Sequence, residues 1–219
     1  MIKAIIFDFD GVILESAVIK TEAFGEVVKD YPEEQARAFV DYHMSHMGIS
    51  RHVKFRYFIE EILNEEYSDE KEQRLADAFE RIVFDRVMKC AFVPGAQEFL
   101  ERNYDKFDMF IASGTPDEEM NRIIDGRNLR RYFIGIYGTP MKKPEIIRQI
   151  LDQYGYLNKE TIFVGDAGTD LNAANETSLV FVGRSTTENE NTFRDIAYKV
   201  SSIMEIEDII DNINNTQGE

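Results

Sequence analysis

The chain has 219 residues, with 25 Lys and Arg against 41 Asp and Glu, for a formal charge of −16. That balance argues against nucleic acid and anionic membrane surfaces as partners, since both are held by clustered cations. A 43% hydrophobic and 12% aromatic content excludes disorder of the whole chain, and a lone cysteine, Cys90, excludes an internal disulfide or a cysteine metal cluster.

The size suits one large domain or a core with a modest insert. No apolar run approaches the ~20 residues that span a bilayer. Met1 to Phe7 runs straight into Asp8, without the longer apolar stretch of a signal peptide. The expected location is the cytosol.

Ile2 to Phe9 is apolar and rich in β-branched and aromatic residues, and reads as a buried parallel strand. Residues 15 to 89 hold little Gly or Pro. Phe24, Val27 and Val28 fit one helical face, as do Phe55, Phe58, Ile59 and Ile62, and later Leu75, Ala78, Phe79, Ile82 and Val83. The segment is expected to be all helix, broken near Pro32, Gly48 and Ser68-Asp69.

From Val93 the pattern alternates. Helices are expected from Pro94-Gly95-Ala96 to Arg102, Pro116 to Asp125, Pro144 to Tyr154, Leu171 to Glu176 and Ile203 to Ile213. Strands are expected at Phe107–Ala112, Phe133–Tyr137, Thr161–Val164 and Leu179–Val182, with a frayed tail over Asn214–Glu219. Such alternation implies an α/β fold, a doubly wound parallel sheet with helices on both faces. Residues 1–14 and 91–219 would form this Rossmann-like core, and 15–90 an inserted helical cap.

Ligands of open α/β sheets sit beyond the carboxyl ends of the strands. There the chain carries Asp8-Phe9-Asp10-Gly11, Ser113, Lys143, and Gly165-Asp166-Ala167-Gly168-Thr169-Asp170. Side chains alternate along a strand, so Asp8 and Asp10 share a face. Four converging carboxylates would repel without a cation among them, and an all-oxygen set suits Mg²⁺. Asp8 could then attack a phosphoryl group, Asp10 could move the proton, and Ser113 and Lys143 could hold the phosphoryl oxygens. The helix N-terminus after Ser113 could add backbone donors.

On these motifs, with Ile111-Ala112-Ser113-Gly114-Thr115 and Lys142-Lys143-Pro144, the chain resembles the haloacid dehalogenase superfamily from residue 1 to about 183. The branch resembled is that of phosphatases with a small helical cap. The resemblance implies Asp8 as nucleophile and Mg²⁺ ligand, and Asp10 as general acid/base with its carbonyl on the metal. It implies Ser113, Gly114 and Lys143 as phosphate binders, and Asp166 and Asp170 as further metal ligands. Lys143 is favoured over Lys142 because it directly precedes the proline. Ala167 replaces a more usual hydroxyl residue.

Asp10 and the Asp166/Asp170 pair argue against dehalogenase and phosphonatase chemistry. Two alternatives stay open: a phosphomutase of the β-phosphoglucomutase type, and a non-catalytic binding protein. His46 to Arg51 resembles that mutase's cap loop, so Arg51 could grip a second phosphate or a carboxylate, with Lys20 the next candidate for substrate binding. Lys20, however, stands where the mutase pattern has histidine.

The stretches Asp10–Ser16, Ile19–Phe24 and Gly48–Arg51 running into Lys54–Tyr57 are similar to phosphatase-like proteins of bacterial surface-sugar and nonulosonic acid pathways. That implies a phosphorylated sugar or sugar acid as substrate, with no macromolecular partner, and a monomer is expected. Lys54 and Arg56 complete a basic stretch with Arg51 and His52, Arg56 pointing elsewhere by its spacing. His43 and His46 have a spacing that could hold a metal on a helix, but ordinary packing is the default for them, as for Tyr31, Tyr42, Tyr57 and Tyr67.

Overall fold

The computed structural model describes residues 1–187 and 189–216. Six parallel strands make one sheet in the order β3-β2-β1-β4-β5-β6. They are β1 (Ala4–Phe7), β2 (Asp108–Pro116), β3 (Gly135–Thr139), β4 (Thr161–Gly165), β5 (Val180–Arg184) and β6 (Tyr198–Val200). The doubly wound expectation therefore holds. All four residues of β1 are fully buried. Ile5 and Phe7 join the apolar cluster on one face of the sheet, and Ala4 and Ile6 the cluster on the other, as a strand covered on both sides requires.

The first cluster draws on α5 (Ala96–Asn103), α6 (Asp117–Gly126) and α9 (Ile206–Thr216). The second packs α7 (Lys143–Tyr154) and α8 (Gly168–Thr177). The strand order reverses direction between β1 and β4, which places a crevice beyond their carboxyl ends.

Between β1 and β2 the chain forms α1 (Ala17–Val28), α2 (Glu33–Ser45), α3 (Arg51–Tyr57), a π-helical turn (Phe58–Ile62) and α4 (Asp69–Val87). Phe24, Phe39, Phe55 and Phe79 pack together as its aromatic centre. The breaks fall where expected. Pro32 precedes α2, Gly48 lies between α2 and α3, and Ser68 caps α4, its Oγ accepting from Lys71 N–H at 3.3 Å. The chain leaves and re-enters the sheet layer side by side: Glu15 N–H donates to Ala91 O at 2.9 Å and Val93 N–H to Ile13 O at 3.0 Å. No helix among the described residues is long and apolar enough to cross a membrane.

Some elements differ from expectation. β2 continues past its expected end at Ala112, through Ser113 to Pro116, with a register shift against β3, and α6 begins at Asp117, one residue after the expected Pro116. α8 starts at Gly168, ahead of its first large apolar residue. β6 carries no apolar run long enough to announce it. The closing segment is a 3₁₀ turn (Ile203–Glu205) followed by α9, which runs on to Thr216. Asn214 to Thr216 are thus helical rather than frayed, and residues 217–219 lie outside the described residues.

Candidate active site

Asp8, Asp166 and Asp170 each present a carboxylate oxygen within 4.8 Å of the others. Three strand-to-helix junctions bring them together with a lysine. Asp8 follows β1, Asp166 follows β4, Asp170 stands in the first turn of α8, and Lys143 opens α7. The approach is close enough to dictate Gly11. Its φ is +74°, and a Cβ there would lie 2.0 Å from Asp166 Oδ2.

Lys143 Nζ sits 3.0 Å from Asp8 Oδ2 and 2.5 Å from Asp170 Oδ1. The other oxygens are also engaged: Asp8 Oδ1 accepts from Phe9 N–H at 2.8 Å, and Asp170 Oδ2 from Ala167 N–H at 3.1 Å. Lys142 is exposed, so of the two adjacent lysines it is Lys143 that reaches the carboxylates.

One lysine faces three carboxylates in a buried space, and the electrostatics show the imbalance. Burial and the neighbouring Asp8 and Asp170 push Asp166 well above the usual carboxylate range. Burial raises Asp8 too; Lys143 opposes it, while Asp170 and Asp10 add to it. For Lys143 burial works against the charge, but Asp170 and Asp8 outweigh it and hold the ammonium protonated. A hard divalent cation fits this donor set: carboxylate oxygens at chelating separation, with repulsion that a cation would relieve.

Asp10 has a different environment. Ser16 Oγ donates to its Oδ1 at 2.6 Å, Thr115 Oγ1 to its Oδ2 at 3.2 Å, and Lys20 pairs with Oδ2. Lys20 Nζ also donates to Thr115 Oγ1 at 2.6 Å. Burial would raise the pKa of Asp10, but Lys20 and these hydrogen bonds outweigh it and hold the carboxyl below its ordinary value. Ser16 precedes α1 yet makes no cap, because its hydroxyl is turned to Asp10. Ser16 and Thr115 were not picked out as Asp10's partners from sequence. The signal available for Ser16 was its spacing of four from Lys20, which puts both on one side of a helix start.

Ser113 and Gly114 lie on β2 itself. Ser113 is buried, and its Oγ accepts from Thr115 N–H at 3.1 Å. Gly114 lies against the insert, since a Cβ there would come within 2.5 Å of Gly48 O. The 47–49 loop therefore rests on the phosphate-binding candidates, and Thr169 Oγ1 fastens it by donating to Met47 O at 2.7 Å. Gly48 has φ +81°, and a Cβ on it would be 2.3 Å from Thr169 Oγ1. The helix expected to follow Ser113, from Pro116, begins at Asp117 directly after the longer strand.

A cleft opens between the insert and the strand ends, lined by Asp8, Asp10, Lys20, Arg51, Lys54 and Gly114 among others. Arg51 lines it, but both of its terminal nitrogens are committed: one lies 2.5 Å from Glu119 and the other 3.1 Å from Glu80. Glu119, on α6, was not singled out from sequence. Arg56 points away, to Glu60 and over the Tyr67 ring.

The two closely spaced histidines share no ligand. His43 is buried between Thr21 and Lys54, while His46 stacks on Tyr42 at the surface. Tyr42 also stacks on Tyr57, and Tyr31 meets Phe58 edge-on, so these tyrosines serve helix packing.

The sequence model of the haloacid dehalogenase-like hydrolases matches residues 5–183, a span that holds every carboxylate of the cluster. The chain belongs to that family. A phosphorylated carbohydrates phosphatase from Thermotoga maritima is 24% identical over 183 residues, covering 81% of this chain and 82% of the relative. The β-phosphoglucomutase of Clostridium difficile superposes with a TM-score of 0.77 at 21% identity, covering 100% of both chains. A hydrolase from Pseudomonas syringae superposes at 0.76 with 19% identity, covering 96% of this chain and 99% of the other. Both solved structures thus share the fold over all or nearly all of the chain.

Proposed function

We propose that this hydrolase is a Mg²⁺-dependent phosphatase of a small phosphorylated carbohydrate, acting through a phosphoryl group carried transiently on Asp8. One observation carries the proposal. Asp8 is a buried carboxylate fixed by Lys143 and Phe9 N–H within chelating distance of Asp166 and Asp170, which is the setting an in-line nucleophile needs. The likeness to a phosphatase of phosphorylated carbohydrates supports the substrate class.

Asp8, Asp166 and Asp170, with the carbonyl of Asp10, would hold the ion, which would supply charge neutralisation for the incoming phosphoryl group. In the first step an Asp8 oxygen forms a bond to phosphorus as the ester P–O bond breaks. The leaving oxygen takes a proton from Asp10. In the second step water attacks phosphorus, Asp10 takes its proton, and the Asp8–phosphorus bond breaks to free phosphate.

Lys20 keeps Asp10 ionised, the state required in the second step. The incoming phosphoryl anion, a like charge, opposes that pull and favours the protonated state required in the first. Lys143, Ser113 and Gly114 would hold the phosphoryl oxygens. Residues 15–90 would act as a cap domain closing on a core of 1–14 and 91–219.

The test is phosphate release from a panel of sugar phosphates and phosphorylated sugar acids with Mg²⁺ present. Activity on at least one member, absent from Asp8→Asn, is expected. Isomerised phosphate ester in place of free phosphate would indicate a mutase, and no reaction with any member would reject the proposal.

A further inference from the structure

Lys20, Arg51 and Lys54, all from the insert, line the cleft that holds Asp8 and Asp10. Lys20 faces Asp10, and Arg51 faces Glu119 and Glu80. Lys54 has no carboxylate partner among the described residues, although it is only 2% exposed. Its Nζ lies 2.7 Å from His43 Nδ1 and 4.9 Å from the centre of the Phe24 ring.

The hydrogen bonds around it run in one direction. Thr21 Oγ1 donates to Ala17 O at 3.1 Å, so it accepts from His43 Nε2–H at 2.9 Å. His43 Nδ1 is then an acceptor, and Lys54 donates to it. An ammonium carries three donors. His43 takes one, and the remainder are left to the cleft that Lys54 lines.

A buried cation without a counter-charge is unfavourable. Burial first, then Lys20 and Lys143, pushes Lys54 down to about 7, against a weaker pull from Asp10. A negative charge entering the cleft would reverse that balance.

We propose that Lys54, oriented by His43, is the contact for a second anionic group of the substrate, remote from the phosphate ester. This rests on the phosphatase proposal for the site. The substrate is then a phosphorylated compound bearing a further carboxylate or phosphate, and Lys54 is the residue that selects it. Arg51 is the obvious alternative from its position in the sequence, but Glu119 and Glu80 already neutralise it.

The test is calorimetric binding to the Asp8→Asn protein with Mg²⁺, so that turnover is not needed. Two matched pairs serve as probes. 6-Phosphogluconate differs from sorbitol 6-phosphate by a carboxylate in place of CH₂OH, and fructose 1,6-bisphosphate adds a phosphate to fructose 6-phosphate.

In at least one pair the doubly anionic member should bind tighter by about 10- to 150-fold, the range for a charge-assisted contact. The pair that shows it identifies the anion. Adding Lys54→Met should bring that ratio close to one, and Lys54→Arg should restore part of it, with circular dichroism confirming that both variants fold. No preference in either pair, no binding of any probe, or a preference that survives Lys54→Met would overturn the proposal. If the preference depends on Lys54 but the wild-type protein hydrolyses no ester, the subsite stands and the phosphatase proposal falls. Hydrolysis without any preference is the reverse case.

Discussion

Arg51 on α3 and Glu119 on α6 form an ion pair between the insert and the sheet layer, 2.5 Å apart and 7% and 1% exposed. Glu80 on α4 bridges Arg51 to Arg122 on α6 at 3.1 and 2.7 Å, so charges of alternating sign tie the insert to the sheet layer. Among the described residues Glu119 has no hydrogen-bonded partner for either oxygen, which leaves Arg51's charge as its compensation. Removing one member of a buried pair typically costs about 3–5 kcal/mol. Glu119→Ala should therefore destabilise the protein by about that amount in urea unfolding, and the double variant Arg51→Met/Glu119→Leu by less than either single change. Arg51→Ala should lower kcat/KM on p-nitrophenyl phosphate as much as on the native substrate. Losses confined to the native substrate would instead make Arg51 a substrate contact.

Gly48 touches the site with its backbone alone. A residue with a Cβ at φ +81° pays about 1–2 kcal/mol, and here the Cβ would also meet Thr169 Oγ1 at 2.3 Å. Gly48→Ala should lift the loop from Gly114 and Thr169 and lower kcat/KM by at least about 5- to 30-fold on every ester, large or small. Unchanged kinetics would show that the loop need not close.

The carboxylate cluster should respond to Mg²⁺ even without substrate. Relief of repulsion among Asp8, Asp166 and Asp170 should raise the melting temperature on adding Mg²⁺, and Asp166→Ala should abolish the increment. In activity, excess chelator should stop turnover, and Ca²⁺ should inhibit, because its longer bonds and looser geometry would misplace Asp8. An Asp166→Ala protein that still gains stability from Mg²⁺ would place the ion elsewhere.

Lys54 also gives a dependence of stability on pH. Burial, with Lys20 and Lys143, holds it at about 7 in the folded protein, against about 10.4 in an unfolded chain. Between these values the unfolded chain binds a proton that the native state does not, so this residue's contribution to stability rises with pH. Lys54→Met should therefore be more stable than wild type at pH 7, and its advantage should shrink at pH 9. Urea unfolding at the two pH values checks this, and an advantage that stays constant would contradict it.

The α/β alternation and the three helix breaks in the insert were legible because Pro32, Gly48 and Ser68 act locally, and because β1 is apolar on both faces. The carboxylates were legible because Asp8, Asp10, Asp166 and Asp170 stand where apolar strands end. What the sequence hid depends on tertiary approach. Glu119 reads as an ordinary acid in the first turn of α6, and only docking of the insert buries it against Arg51. Lys54 sits three residues from Arg51 on α3, but its lack of a carboxylate is a fact of packing. Ser113 falls within β2 rather than after it because strand pairing with β3 resumes at Pro116.

If Asp8 carries the phosphoryl group, the adduct can be trapped during turnover. Wild-type protein turning over a hydrolysable phosphate ester with Mg²⁺ should be quenched in acid within milliseconds, digested, and measured by mass spectrometry. The peptide containing Asp8 should gain the mass of one phosphoryl group, the adduct should be released by hydroxylamine as an acyl phosphate is, and Asp8→Asn should show neither adduct nor turnover. Turnover at wild-type rate by Asp8→Asn, or a phosphoryl adduct on another residue, would contradict the account.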